Sequence, residues 1–477
     1  MLGRAAGYCS GRINTAAVGR SGDVAGAGRP LEWRHHLADL GGTTLLQALA
    51  YRDFRLFWAG LTVSSIGAWM QVFALGLLLV QLAQRDGDIA LAPFYLGLTG
   101  LARAVPGLAL TLIAGAVADR TDRRRLLLLT QGVMSVNASL LALATIAGVV
   151  NLWDVMLAAA VQSAAFAFDA PGRHSMLPRI VPPTALSSAI GLQSAAFNSA
   201  QVIGPLLAGI LYFPLGIGGL LIANAVSFSV ILVALVLMKP IPRVGTPTHS
   251  VFGSVADGMR YLKRNVRATW LLALTATALF ATGSFTALLP AVAQEQTYRG
   301  MSWLSLLLAA CGLGALTGSF LLMRLGRSRH VGRIYAGATI FNGLAIVFFA
   351  LSLRPGFALA TAFAAGLAAT LMAGLANGML QSTITDEYRG RVMSFFSFQF
   401  IALTPAGQLV LGALGTSLGI HAALIAAGAV AFVVGLFGAI RVHVVRDWKP
   451  VREPAQPALQ PAGLTPNITL GEASALK

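Results

Sequence analysis

The densest cluster of charge in the sequence lies between residues 115 and 125, which read GAVADRTDRRR. An apolar stretch that includes Gly115 is followed by two acids, Asp119 and Asp122, and by four arginines. Charge of this density is excluded from hydrocarbon, so the segment marks the place where a membrane helix meets water. Arg123 follows Asp119 by four residues, close enough for it to reach back to that carboxylate or to a neighbouring helix.

Arg103 is the only basic residue deep within an apolar run, in the sequence GLTGLARAVPGLAL. An arginine at mid-membrane costs roughly 2.5 to 3.5 kcal/mol on insertion scales, so it normally faces a wet cavity or a partner. The other apolar runs carry no carboxylate at a matching depth. We therefore expect Arg103 to line a central cavity and to favour anionic or hydrogen-bond-accepting substrates. Snorkelling, or capping of the carbonyls that Pro106 frees, is the alternative.

Uncharged polar residues within the apolar runs are the other candidates for a substrate cavity. Together with Arg103, those expected to contact a substrate are Gln71, Gln162, Asn198, Asn377 and Gln399. Further residues of the same class are Gln193, Gln201, Asn224 and Gln408. For each of them a hydrogen bond between two helices is an equally good explanation.

The composition indicates which elements must position these residues. Of 477 residues, 56% are hydrophobic and 11% are charged, which is too apolar for a soluble globular protein. The sequence therefore predicts a multi-pass protein of the lipid bilayer. The net charge of +17 arises from basic residues that are grouped in short segments between the apolar runs, so it indicates membrane topology rather than nucleic-acid binding. The two cysteines, Cys9 and Cys311, make no metal cluster, and we expect no metal and no cofactor.

Apolar runs of about 20 residues, the length that crosses a bilayer as a helix, occur twelve times. They must be helices, because an open strand edge would leave backbone groups without partners in lipid. The predicted spans are residues 56–82, 93–118, 126–149, 152–170, 191–213, 217–238, 268–290, 302–324, 334–353, 357–379, 392–416 and 419–441.

Lysine and arginine are distributed unequally between alternate loops. If the N-terminus is cytoplasmic, the five inner loops hold eighteen basic residues, whereas the outer loops hold only Arg85, Arg299 and Arg354. Short loops rich in lysine and arginine remain on the cytoplasmic side. We therefore predict a protein of the cytoplasmic (inner) membrane with both termini in the cytoplasm.

The longest interior break divides the spans into six and six. It predicts an N-terminal tail at 1–42, disordered or from a misassigned start, six-helix bundles at 43–238 and 268–443, a central cytoplasmic loop at 239–267 and a cytoplasmic tail at 444–477. A weak internal repeat supports duplicated halves. Gly204-Pro205 corresponds to Thr404-Pro405, and Gly115 corresponds to Gly318, at offsets of 200 and 203 residues.

The pattern Gly115-x-x-x-Asp119-Arg120-x-Asp122-Arg123-Arg124, between spans two and three, resembles the cytoplasmic signature of the major facilitator superfamily. Asp122 stands where that family most often has glycine. The resemblance covers roughly residues 50 to 445. It implies an all-α membrane fold in which twelve transmembrane helices form two pseudo-symmetric six-helix bundles.

The resemblance also implies a cytoplasmic latch between the two halves. Asp119 would contact the start of span eleven near Val392, where the helix dipole favours negative charge, and Asp169 would join the cluster and pair with Arg123. Basic residues that precede span eleven would take part as well. The alternative is a solvated topology anchor. The proposed latch consists of Gly115, Asp119, Arg120, Arg123, Arg124, Asp169, Arg389 and Arg391.

Span five carries a second family feature. Gly204, Pro205 and Gly209 resemble the Gly-Pro signature of the family's exporters, although Ala208 replaces the first of two adjacent glycines in the commoner form. Generic close packing with a proline kink is the alternative. The sequences of span one, of the loop that follows span four and of the loop that precedes span eleven resemble those of one branch of the family. That branch contains the enterobactin exporter and macrolide efflux proteins.

These resemblances imply a secondary transporter, most simply a monomer, and not an enzyme. Its function would be proton-coupled efflux of a drug-like, siderophore-like or other amphipathic small molecule by alternating access. A nutrient or metabolite importer of the same fold is the alternative. A polytopic membrane enzyme is the remoter one, because the short outer loops hold few acids and no metal-ligand spacing.

Overall fold

The computed structural model describes residues 44–239, 259–295, 302–326 and 328–448. Within these ranges the chain is almost entirely helical and contains no β-strand. The predicted N-terminal tail, most of the predicted central loop and the chain beyond Trp448 lie outside the described residues.

The helices confirm the predicted all-α membrane fold. Among the described residues, eleven helices are long and apolar enough to cross a membrane, and one of them, Pro183–Leu237, has 55 residues. A straight helix of that length would reach about 80 Å, whereas the hydrocarbon core is about 30 Å thick. This helix is broken at Gly216, whose φ of 64° suits glycine, and it therefore supplies two spans.

The twelve spans are numbered in chain order. They are α1 Arg52–Arg85, α2 Ala92–Arg120, α3 Arg123–Ile146, α4 Leu152–Ile180, α5 186–215, α6 217–237, α7 Val266–Glu295, α8 Ser302–Leu325, α9 Val331–Ala350, α10 Pro355–Thr383, α11 386–418 and α12 Ile420–Ile440.

Two helices of the second half are interrupted at the same depth. Helix α7 breaks between Thr282 and Phe285, and α11 contains a π-helical turn, Gln399–Leu403, which ends two residues before Pro405. Proline has no N–H to continue the helical ladder, and π turns inside α-helices are frequent at functional sites. The two breaks touch, because a Cβ atom on Gly283 would lie 2.9 Å from the side chain of Thr404.

The same helix pairings occur in both halves of the chain. In the first half α2 packs against α4, and α3 packs against α4 and α6. In the second half α8 packs against α10, and α9 packs against α10 and α12. Each pair of the second half is the pair of the first half shifted by six helices, which is the arrangement expected of two duplicated bundles.

The two halves share a hydrophobic core at one end of the molecule only. We call the end that holds Arg123, Arg173 and Arg333 the basic end, and the other the opposite end. At the opposite end one buried cluster joins α1, α7 and α8, with Phe73, Phe285 and Leu307 among its members.

At the basic end the buried clusters are separate. One contains first-half residues such as Phe54 and Leu127, and the other contains second-half residues such as Met372 and Val392. The described halves are therefore closed against each other at the opposite end and part toward the basic end.

Packing also extends to the two ends of the described chain. A 3-10 helix, Thr44–Ala50, precedes α1, and the buried N–H of Ala48 donates to Ser188 Oγ at 3.1 Å. After α12, Trp448 is buried in the second-half cluster. Asp447 beside it accepts hydrogen bonds from Arg446 and Arg333, which lower the pKa of its carboxyl group to about 2. The packed structure thus continues a few residues into the predicted tail.

The closed end depends on glycines where helices of the two halves cross. A Cβ atom on Gly412 of α11 would lie 2.4 Å from the carbonyl oxygen of Pro93 and 2.9 Å from Gly97 Cα, both in α2. Gln408 strengthens this crossing by donating to the carbonyl of Leu96 at 2.6 Å and to Thr99 Oγ1 at 3.2 Å. Backbone therefore meets backbone at this contact, and a side chain does not fit between.

We predict that Gly412→Leu destabilises the protein by about 1–3 kcal/mol, because the new side chain must displace the α2 backbone. The matched control is Gly378→Leu in α10, where no atom lies within 4 Å of an added Cβ, so the same change should be nearly neutral. Thermal unfolding of the two purified variants measures the difference. Equal midpoints would show that α2 and α11 do not depend on this contact.

Candidate functional site

A central cavity of about 170 Å³ lies between the two halves. Gln201 of α5 and Trp69 of α1 contribute from the first half, and α7 to α10 contribute the rest. The lining is uncharged and consists of Trp69, Gln201, Thr282, Gly283, Phe285, Thr286, Leu308, Cys311, Gly312, Ala315, Asn342, Ile346, Ala365, Gly366, Ala369 and Thr370. A site of this chemistry suits a largely apolar ligand with a few hydrogen-bonding groups.

The breaks in α7 and α11 place the polar groups of this cavity. Thr282 and Gly283 lie where α7 is interrupted, and Gly283 touches Thr404 just past the π turn of α11. Asn342 of α9 is almost fully buried, and its Nδ2 donates to the Ala365 carbonyl at 3.2 Å. Its Oδ1 is buried without a hydrogen bond within the described structure. That oxygen is an available acceptor beside the cavity.

The structure distributes the predicted cavity residues among different environments. Gln71 is buried and accepts a hydrogen bond from Asn224 of α6, and Gln399 donates to the Leu272 carbonyl at 3.1 Å. Asn198 of α5 donates to Ser319 of α8 at 3.3 Å, across the contact between the halves.

Two more of the predicted residues lie elsewhere. Asn377 accepts from Gln381 at 2.9 Å, one turn along α10. Gln162 of α4 has a buried Oε1 without a hydrogen bond to the described residues. None of the five predicted polar residues lines the central cavity.

Sequence reasoning missed most of the residues that do line it. Gln201 was among the further uncharged polar residues named from the sequence. Asn342, the only asparagine of span nine, is also an uncharged polar residue within an apolar run and could have been found in the same way. The threonines Thr282, Thr286 and Thr370 gave no separate signal, because threonine in a membrane helix usually bonds its own backbone. Thr282 does so here, donating to the Ala278 carbonyl at 2.9 Å.

A buried charge cluster lies in the basic half of α4. Asp169 is fully buried and pairs with Arg173, one turn further along the same helix. Its Oδ1 also accepts from Gln131 Nε2 at 2.7 Å and from Thr130 Oγ1 at 3.2 Å, both in α3. The carboxylate is thus held by one cation and two neutral donors, which offsets the cost of removing it from water.

Arg123 is not the partner of Asp169 in this conformation. Thr130, which bonds Asp169, lies seven residues beyond Arg123, or about 10 Å along α3. The Nε atom of Arg123 is buried and makes no hydrogen bond with the described residues. Arg173 is nearer because it stands on the carboxylate's own helix, four residues away.

The neighbouring residues of the predicted latch have local roles in this conformation. Asp122 caps α3 by accepting from the N–H groups of Arg124 and Arg125 at 3.0 and 3.2 Å. Arg124 donates to the last carbonyls of α6, those of Leu235 and Val236, at 2.6 and 2.7 Å.

On the other half, the guanidinium of Arg391 lies 5.2 Å from the ring centre of Tyr388, which stacks on Tyr261. The first part of α11, Asp386–Phe398, packs against α10 of its own half. The side chains of four further latch residues lie outside the described part of the structure: Gly115, Asp119, Arg120 and Arg389.

The glycines predicted as an exporter motif lie at close helix contacts. A Cβ atom on Gly204 would lie 2.5 Å from Trp69 Cβ in α1. One on Gly209 would lie 2.3 Å from Ser305 Oγ in α8, across the two halves. Pro205 follows Gly204 and is buried in the same contact. These residues fix how closely α5 approaches α1 and α8.

We predict that Asp169→Asn destabilises the protein by about 3–5 kcal/mol, because it leaves Arg173 charged and mostly buried without its partner. Adding Arg173→Met should restore most of that stability. The control is Asp86→Asn at the opposite end, which weakens a 3.7 Å exposed pair with Arg85 and should cost less than about 1 kcal/mol. Chemical denaturation of the four proteins measures these values. A double variant no more stable than Asp169→Asn would contradict the pairing.

Comparisons with known proteins agree with this architecture. A family model described as "Transmembrane secretion effector" matches residues 43–461. The macrolide efflux protein A of Streptococcus pyogenes is 22% identical over 367 residues, which cover 76% of this chain and 88% of that protein. The multidrug efflux pump Tap of Mycobacterium tuberculosis (strain H37Rv) is 26% identical over 385 residues, covering 76% and 88%.

Solved structures share the fold at low identity. A bacterial homologue of the human lysosomal transporter Spinster, in an inward-facing and unoccupied conformation, is 14% identical, with a TM-score of 0.60 over 83% of this chain and 99% of that one. A POT family transporter in complex with 5-aminolevulinic acid is 13% identical, with a TM-score of 0.64 over 84% and 97%. With the family match over most of its length, the chain belongs to the transmembrane secretion effectors of the major facilitator superfamily, which are membrane transporters of small molecules and not enzymes.

Proposed function

We propose that the protein exports an amphipathic small molecule from the cytoplasm by alternating access. The observation that carries the proposal is the asymmetric contact between the halves, which share a core at the opposite end and have separate cores at the basic end. Halves that are closed against each other at one end and part at the other are one of the two states that alternating access requires. The efflux functions of the similar macrolide and multidrug pumps support the direction.

The orientation follows from the arginines. Loops rich in lysine and arginine remain in the cytoplasm, so the basic end is the cytoplasmic end and both termini lie there. The conformation described here is then inward-open and ready to take up a cytoplasmic substrate. We further propose that the protein acts as a monomer in the cytoplasmic membrane of a bacterium.

The latch residues act in the other state. When the basic end closes, the first turn of α11 approaches the loop between α2 and α3, and Asp119 contacts that helix start and Arg123. Two features of the inward-open state support this exchange. Arg123 has a buried Nε without a hydrogen bond in the described structure, and the segment Asp386–Phe398 packs against its own half. The latch would thus stabilise the outward-open state.

Proton coupling has one candidate group in the described structure. Asp169 is the only fully buried carboxylate among the described side chains, and it lies within a membrane helix. We include exchange of substrate for a proton in the proposal, with this carboxylate as the candidate group.

The direction can be tested in membrane vesicles. Inside-out vesicles should accumulate the exported dye or drug when the lumen is made acidic, and nigericin, which collapses the pH gradient, should abolish the accumulation. Right-side-out vesicles from the same cells, and inside-out vesicles without the protein, are the controls. Accumulation in right-side-out vesicles instead would identify an importer, and accumulation that persists with nigericin would contradict proton coupling.

We predict that Asp119→Ala lowers transport at least about fivefold, because loss of a contact made in one state only shifts the balance between states. The matched control is Asp122→Ala, three residues further on, which removes the cap of α3 and should cost about 1 kcal/mol of stability but leave transport largely intact. Transport is compared at equal membrane levels of protein. Equal transport by Asp119→Ala and wild type would refute the latch.

A further inference from the structure

Among the residues that the structure describes, Arg103 is the one charge that lies deep in a membrane helix without a described partner. It is the twelfth of the 29 residues of α2, about 17 Å from one end of the helix and about 25 Å from the other. It makes no hydrogen bond or ion pair from its side chain to any described residue, and it is exposed. By contrast, the other charge of the membrane interior, Asp169, is fully paired.

The face of α2 that carries Arg103 looks toward the other half. Gly100 and Gly107 stand three residues before and four residues after Arg103, on the same face of the helix. A Cβ atom on Gly100 would lie 2.7 Å from the Pro405 carbonyl oxygen, and one on Gly107 would lie 3.3 Å from Ile401 Cγ2. Both of these atoms belong to α11, although Ser163 Oγ of α4, at 3.0 Å, is nearer to Gly107, so Arg103 lies close to the π turn of α11 and to α4.

The side of α2 that faces lipid is not the side that carries Arg103. Leu101 and Val105 lie two residues before and after Arg103, which is about 200° around the helix. Both are apolar, and they are 40% and 60% exposed. Arg103 therefore lies on the side of α2 opposite to these two residues. Ser163 of α4 donates to the Arg103 carbonyl at 2.6 Å.

Arg103 and the central cavity lie at similar depths. Gly283 lines the cavity and touches Thr404, and the next residue, Pro405, touches Gly100. Arg103 is one helical turn closer to the basic end than Gly100, between the contact of Gly100 with Pro405 and that of Gly107 with Ile401. The guanidinium therefore lies at about the depth of the uncharged cavity.

We propose that Arg103 binds the anionic head group of the substrate, and that the uncharged cavity receives its apolar body. The substrate class is an amphipathic organic acid with a carboxylate, sulfonate or phosphate group, because a guanidinium donates two parallel hydrogen bonds to such groups. No described carboxylate lies at this depth to attract a cationic drug. This inference rests on the proposed transport function and names the substrate class for it.

Binding of three dansyl probes to the purified full-length protein in nanodiscs tests the proposal. Dansyl-phenylalanine carries a carboxylate, its amide is the neutral match, and dansylcadaverine is the cation. The wild type should bind the acid at least about tenfold more tightly than the amide. Arg103→Gln should remove this preference without weakening the amide, and Arg103→Lys should keep part of it. Arg354→Gln, which removes an exposed arginine at the opposite end, is the matched control.

The proposal is overturned if the wild type binds the amide or the cation as tightly as the acid, or if Arg103→Gln keeps the preference for the acid. Thermal unfolding of each variant checks that the protein remains folded. The same probes in inside-out vesicles separate this inference from the transport proposal. If binding of the acid depends on Arg103 but uptake runs in the importing direction, the export proposal fails and the role of Arg103 stands. If export occurs and Arg103→Gln leaves it unchanged, the role of Arg103 fails and the export proposal stands.

Discussion

The exclusion of charge from hydrocarbon determines where this chain can place its charged and polar functional groups. Every described acid except Asp169 lies at or near a helix end, and Asp169 is neutralised by Arg173 and two neutral donors. Most backbone groups bond within helices, and among the interruptions of the helical ladder are those at Gly283 in α7 and Pro405 in α11. The interior is therefore an uncharged cavity flanked by breaks in two helices, with a single arginine on α2 beside it.

The helix crossings between the halves are suited to opening because they contain few hydrogen bonds that must be broken. At the crossing of α2 and α11, Gly97 and Gly412 bring two backbones together, and at the crossing of α5 and α8 Gly312 does the same against Gln201. Such contacts consist mainly of van der Waals packing, and small residues let the helices approach closely. Gln408 supplies a directional bond across the first crossing. Two rigid bundles can separate there without unfolding either.

The sequence was sufficient for the number and approximate position of the spans, because each apolar run must become a helix wherever it lies. Span one, predicted at 56–82, forms at Arg52–Arg85. The cavity was not predictable to the same degree. Gln71 looks like a cavity residue in the sequence, but its partner Asn224 is 153 residues away in α6. The partner of Asp169 and the end at which the halves close also depend on tertiary packing and on conformational state, which local patterns do not encode.

The charge balance of the interior links substrate binding to the conformational cycle. The pair of Asp169 and Arg173 contributes no net charge, so in the described part of an empty transporter one unpaired positive charge lies at mid-membrane, that of Arg103. Closing the halves around an empty site would remove this guanidinium from water with nothing to replace its hydration. An anionic substrate turns it into a neutral, hydrogen-bonded pair before closure. An empty, unprotonated transporter therefore meets a higher barrier to occlusion than a loaded one, which disfavours closure of the inward-open state without substrate.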